Sequence, residues 1–153
     1  GGAGGASATA YSIGYTGVEG LTLDFAMGET ETVASQQDHT TIKASYAIGS
    51  FTIGYSNTES IYSNSASIDE EVSSWQVAYT VSDDISLTYG TEEIETEAQA
   101  VDEEMTGFGV SYTTGGVTLS ANQYNASSVG NSDTETSSTG DKERWALSAT
   151  FAF

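Results

Sequence analysis

Apolar and small polar residues alternate one by one through most of the chain, in stretches of about ten residues. Leu21, Leu23, Phe25 and Met27 interleave with Thr22, Asp24 and Ala26. Trp75, Val77, Tyr79 and Val81 interleave with Gln76, Ala78 and Thr80, and Phe108, Val110 and Tyr112 with Gly107, Gly109 and Ser111. A helix would scatter each set around its cylinder, whereas a strand places each set on one face. Nine such segments can be drawn, at about 7–16, 21–30, 40–48, 51–59, 72–81, 85–94, 105–113, 117–125 and 142–153. They are longer than the usual strand of about 5–6 residues. The chain contains no proline, so no strand is interrupted by a missing donor.

The connections alternate in length. Short ones fall at 17–20, 49–50, 82–84 and 114–116; long, polar, acidic ones fall at about 31–39, 60–71, 95–104 and 126–141. The repeating unit is therefore a hairpin followed by a long loop. Tyr15, Tyr46, Tyr79 and Tyr112 hold equivalent places just before the four short turns. Propeller blades have four shorter strands in about 40–45 residues. A sandwich has no reason to alternate its loop lengths so strictly.

Charge narrows the partners. With 22 acidic and 3 basic side chains, the chain repels nucleic acid and anionic headgroups alike. Absence of cysteine removes disulfides, thiol catalysis and thiolate metal sites. High net charge with many Gly, Ser and Thr residues is compatible with disorder, but the periodic placement of nine tyrosines, five phenylalanines and two tryptophans argues for folded strands. No apolar run is long enough for a membrane helix, a test to which a barrel strand is blind.

These features together predict an all-β, antiparallel up-and-down transmembrane β-barrel. Its strands have about the length a tilted membrane strand needs, and short turns alternate with long external loops. An amphipathic tyrosine ring is favoured where hydrocarbon meets water, so the four tyrosines fit an aromatic girdle on the short-turn side. The ending "RWALSATFAF" puts Trp145, Leu147, Phe151 and Phe153 on one face.

"YSIGYTGVEGLTLDFAMGE", "YAIGSFTIGYS", the repeated short turns and "WALSATFAF" resemble a Gram-negative outer-membrane general porin of the alphaproteobacterial or marine style. The resemblance implies a 16-stranded barrel, a homotrimer and passive diffusion of small hydrophilic solutes in the bacterial outer membrane. It also implies that the aromatic-ended last strand is an assembly signal for the barrel-assembly machinery, and that outer-membrane lipid and lipopolysaccharide surround the wall. Nine strands are too few and odd in number for such a barrel. They correspond to the C-terminal portion of the family pattern, with residues 1–6 as the remnant of an external loop. The alternatives are a small eight-stranded barrel with a structural or adhesive role, which requires one of the nine segments to be wrong, the weakest being 7–16, and a soluble antiparallel β domain.

On the barrel reading Leu23, Phe25, Ile53, Val77, Leu87, Val110, Leu119 and Leu147 face lipid. Thr22, Ser45, Thr52, Thr88, Ser120 and Ser148 face water, with Asp24, Lys43, Gln76, Asn122 and Arg144 as the pore-lining residues of most interest. Acidic loops and scarce cations predict a weak cation preference. No cofactor is expected. The acidic runs Asp69–Glu71 and Glu92–Glu104 offer ligands suited to Ca²⁺ or Mg²⁺, but they lack the fixed glycine and spacing of an EF-hand, and solvated loops account for them better. No catalytic residue is expected either. His39, the single histidine, is read as a loop residue beside Asp38, and no nucleophile elbow is present. Glu92 and Glu93 would point to opposite faces if extended.

Overall fold

The computed structural model describes residues 7–32, 36–63, 68–134, 136 and 139–152. Residues 1–6, read above as a loop remnant, and Phe153 lie outside the described residues. Nine strands form one antiparallel sheet in sequence order: β1 (Ser7–Tyr15), β2 (Leu21–Glu31), β3 (Gln36–Ile48), β4 (Phe51–Tyr62), β5 (Glu70–Ser82), β6 (Ile85–Thr96), β7 (Glu103–Thr114), β8 (Val117–Val129) and β9 (Gly140–Phe151). Each strand pairs with the next along its length, so the chain is a pure meander. Among the described residues β1 and β9 do not pair with each other, and the sheet is open.

Several strands run well past the expected boundaries. β3 starts at Gln36, β4 continues to Tyr62, and β8 continues to Val129. His39, expected in a loop, sits inside β3 opposite Gly28. Glu70, Glu71, Glu103 and Glu104 also lie in paired strand. Acidic and hydroxyl residues carry no apolar alternation there. The hairpin ladders nevertheless continue, because pairing satisfies backbone donors and acceptors whatever side chains they carry. The connections left on that side are tied together by hydrogen bonds to backbone carbonyls. Ser63 N–H donates to the Gln36 carbonyl at 2.9 Å and Glu97 N–H to the Asp69 carbonyl at 2.8 Å. Asn131 Nδ2 reaches the Val101 carbonyl at 3.1 Å.

Two irregularities interrupt the ladder, a register shift at Thr80/Ser82 in β5–β6 and one at Ala126/Val129 in β8–β9. Such bulges bend a strand and sharpen its local twist. The second surrounds Ser128, which has a positive φ of 54° and is the one buried polar residue among those described. Its hydroxyl donates to Asp133 at 2.8 Å.

Three of the four short turns place glycine at positive φ, at Gly20, Gly49 and the pair Gly115 and Gly116. Gly20 has φ +77°, its carbonyl accepts from Ala47 N–H at 2.8 Å, and a Cβ there would run into the Ala47 carbonyl oxygen. Gly49 has φ +57° but opens into free space. Gly20→Ala should therefore lose about 1–2 kcal/mol from the left-handed conformation alone, and more from the collision. Gly49→Asn should be close to neutral, since asparagine tolerates that region. Heat-modifiable gel mobility, comparing the melting midpoints of the two variants, checks the contrast.

Candidate functional site

Residues directly opposite one another in an antiparallel sheet share a face, so the register sorts every strand residue. One row runs Thr22, Ser45, Gly54, Gln76, Gly90, Gly107, Tyr124, Arg144. The row beside it on the turn side runs Ala47, Thr52, Ala78, Thr88, Gly109, Asn122, Ala146. A third holds Asp24, Lys43, Ser56, Ser74 and Glu92. These rows line a concave trough of about 690 Å³ that extends from β2 to β8. Asp24, Lys43, Gln76 and Asn122 line it; Arg144 shares their face on β9, directly opposite Tyr124.

Hydroxyls bridge neighbouring strands across this face. Thr41 and Thr58 are joined at 3.0 Å, and Ser56 and Ser74 at 2.9 Å. Glycines leave room for longer side chains to lie along the wall. A Cβ on Gly54 would meet Gln76 Cγ at 3.2 Å, one on Gly107 would meet the Tyr124 ring at 3.3 Å, and one on Gly109 would meet Asn122 Oδ1 at 2.6 Å.

The opposite face is apolar. Leu23, Phe25, Ile53, Val77, Leu87, Val110, Leu119 and Leu147 all fall on it, as do Trp145 and Phe151. Tyr15, Tyr46, Tyr79 and Tyr112 are there too, near the short turns. Phe51 stacks on Tyr79 with ring centroids 4.5 Å apart, and Trp75 meets Tyr89 at 5.5 Å. The sheet has nothing behind it: no apolar side chain among the described residues is buried, and Leu147 is 82 % exposed. A water-soluble sheet would leave this face unpaid for by the hydrophobic effect.

Charge is sorted by face. Lys43, Lys142 and Arg144, the only basic residues of the chain, are all on the concave face, with Asp24, Glu70, Glu92 and Glu103. The apolar face carries carboxylates only, at the loop-side ends of its strands, among them Glu29, Glu59, Glu71, Glu93, Glu104 and Glu143. Like charges stand directly opposite at Glu29–Asp38, Glu59–Glu71 and Glu93–Glu104, an arrangement that is destabilising in itself. This sorting has a sequence signal, the parity of each charged position, which becomes usable once strand boundaries are known. Glu93, Glu95 and Asp102 bring ligand oxygens within 4.8 Å of one another at the loop end of β6.

His39 Nδ1 lies 3.0 Å from Ser60 Oγ across β3–β4. Asp38 points to the other face and does not orient it. Glu92 and Glu93 likewise lie on opposite faces, opposite Met105 and Glu104.

Arginine placed on the apolar face at the middle of the band should cost about 2–4 kcal/mol of folding free energy in a bilayer. Leu147→Arg is expected to show that loss, and its neighbour Ala146→Arg, on the trough side, little. Denaturant titration in lipid vesicles reads the difference.

No protein-family model and no curated protein matches the chain. Solved structures do. OmpT of Vibrio cholerae, an outer-membrane protein folded in vitro, is 20 % identical with a TM-score of 0.71, and covers 95 % of this chain and 55 % of its own. OmpT expressed in the outer membrane of the same organism gives 20 %, 0.71, 95 % and 56 %. An anion-selective porin from Comamonas acidovorans is 16 % identical with a TM-score of 0.64, covering 90 % of this chain and 44 % of its own. The chain thus spans about half the length of the structures it matches. Its fold is that of the outer-membrane β-barrel proteins, an all-β antiparallel meander with its sheet left open.

Proposed function

We propose that this chain forms part of the wall of an outer-membrane porin, a water-filled channel through which small hydrophilic solutes and ions diffuse passively. The observation that carries the reading is the two-faced sheet: an apolar face with no buried side chain among the described residues, bordered by tyrosines, and a concave face of hydroxyls, amides and glycines. Lipid is the solvent that suits the first face, and water the second. Likeness to solved outer-membrane barrels, one of them a porin, supports it.

Asp24, Lys43, Gln76, Asn122 and Arg144 are the wall residues that a permeating ion would meet. Inward carboxylates and inward cations nearly balance, so any cation preference is weak, far below what a net charge of −19 suggests. Tyr15, Tyr46, Tyr79 and Tyr112 form the girdle on the short-turn side. The segment that carries Trp145, Leu147, Phe151 and Phe153 supplies the assembly signal that the porin resemblance implies. The channel works as a homotrimer in contact with lipopolysaccharide, as the porin resemblance implies.

A hydrolytic reading has one observation in its favour, the His39–Ser60 contact on the trough face. A general base also needs an orienting group, and Asp38 is on the wrong side of the sheet to provide it. Ser60→Ala should leave solute permeation unchanged.

Planar-bilayer recording of the full-length protein tests the porin reading. Stepwise conductance is expected, and Lys43→Glu should move the reversal potential in a salt gradient toward the cation side without abolishing the channel. Folded, inserted protein with no conductance would overturn the reading.

A further inference from the structure

The apolar face has a sharply defined height. On β2 the outward residue nearest the short turn is Leu21, and the first outward carboxylate is Glu29, eight positions along. The same eight positions separate Phe51 from Glu59, Ile85 from Glu93 and Phe151 from Glu143, while on β3 and β7 the outward residues nearest the turn, Ile48 and Thr114, stand ten positions from Asp38 and Glu104. An interval of eight positions on four strands and ten on two makes the carboxylates a border at nearly one height rather than scattered surface charge. At about 3.3 Å per residue and a tilt of ~40°, eight to ten positions rise roughly 20–25 Å along the membrane normal. The usual apolar band is about 25 Å.

In the middle of the sheet the border lies lower still. Six positions from Leu21 and Phe151, β2 and β9 carry Met27 and Trp145, but at six to eight positions from the turn β4 to β8 carry Asn57, Ser73, Thr91, Thr106 and Gln123. Trp145 shows where the edge lies on β9: its indole N–H donates to Glu143 at 2.9 Å, with the ring on the apolar side. Asn57 donates to Glu71 at 2.6 Å on β4–β5, already among the polar groups.

We infer that the apolar face is fitted to an unusually thin bilayer, with about 20 Å of hydrocarbon or less along β4 to β8. The inference rests on the proposed reading that this face meets lipid. Mismatch costs only fractions of a kcal/mol per Å. Summed over nine strands, however, it sets which membrane thickness the protein prefers.

The test uses the full-length protein in phosphatidylcholine vesicles with acyl chains of about 10 to 18 carbons, a range that brackets the thickness in question. The midpoint of equilibrium urea unfolding should be highest in the shorter-chain lipids. The variant Asn57→Leu, Ser73→Leu, Thr91→Leu should move that optimum by about two or more carbons toward longer chains. An unchanged optimum in the variant, or one already at the longest chains in the native protein, overturns the inference. Brominated lipid gives a second reading that needs no redesigned belt, because both tryptophans lie on the apolar face. Trp75 should be quenched most by bromine near the bilayer centre and Trp145 by bromine nearer the headgroups. Quenching of Trp145 alone, with Trp75 shielded by a second copy, would overturn the thin-bilayer fit and leave the porin reading standing. Quenching of neither would sink the lipid-facing reading itself.

Discussion

Backbone pairing between consecutive strands is the constraint on which everything else here depends. Each strand hydrogen-bonds to the next, so main-chain polar groups are satisfied within the sheet, and side chains are forced alternately to one face or the other. With no second layer present, stability cannot come from a buried apolar centre. It comes from the ladder, from cross-strand contacts such as Phe51 on Tyr79, and from whatever solvent each face meets. That is the energetic logic of a membrane wall, in which an unpaired amide in hydrocarbon costs several kcal/mol and an apolar side chain there costs nothing.

Much of this was legible in the sequence, for a simple reason. Parity survives any error in strand ends: moving a boundary by two residues does not change which face Leu23 or Asp24 occupies. Turn glycines and the tyrosines beside them then fixed the hairpin phases. What was not legible is where strands stop on the loop side. Ser60 to Tyr62, Glu70 and Glu71 look like loop because no apolar–polar alternation of useful length runs through them, yet the ladder continues there. His39 was misplaced by the same error. A polar strand above the apolar band and a solvated loop have the same composition, and only the pairing register tells them apart.

The distribution of charge was the other feature hidden from composition. A net −19 invites the picture of a uniformly acidic protein. The structure instead divides the charge, placing Lys43, Lys142 and Arg144 on the concave face, which also carries Asp24, Glu70, Glu92 and Glu103, and leaving carboxylates alone on the apolar face. On the porin reading, electrostatic influence on a permeating ion comes from the near-balanced set; the unbalanced set faces outward, where screening by salt acts on it.

The glycines of the trough carry a consequence for its calibre. Gln76, Asn122 and Tyr124 lie against the wall because Gly54, Gly109 and Gly107 offer them no Cβ to climb over. On the porin reading, the bore is therefore governed by positions that contribute no side chain to it. A methyl group added at any of these three places would tip the overlying amide or ring toward the axis, narrowing the passage from a residue that no solute touches.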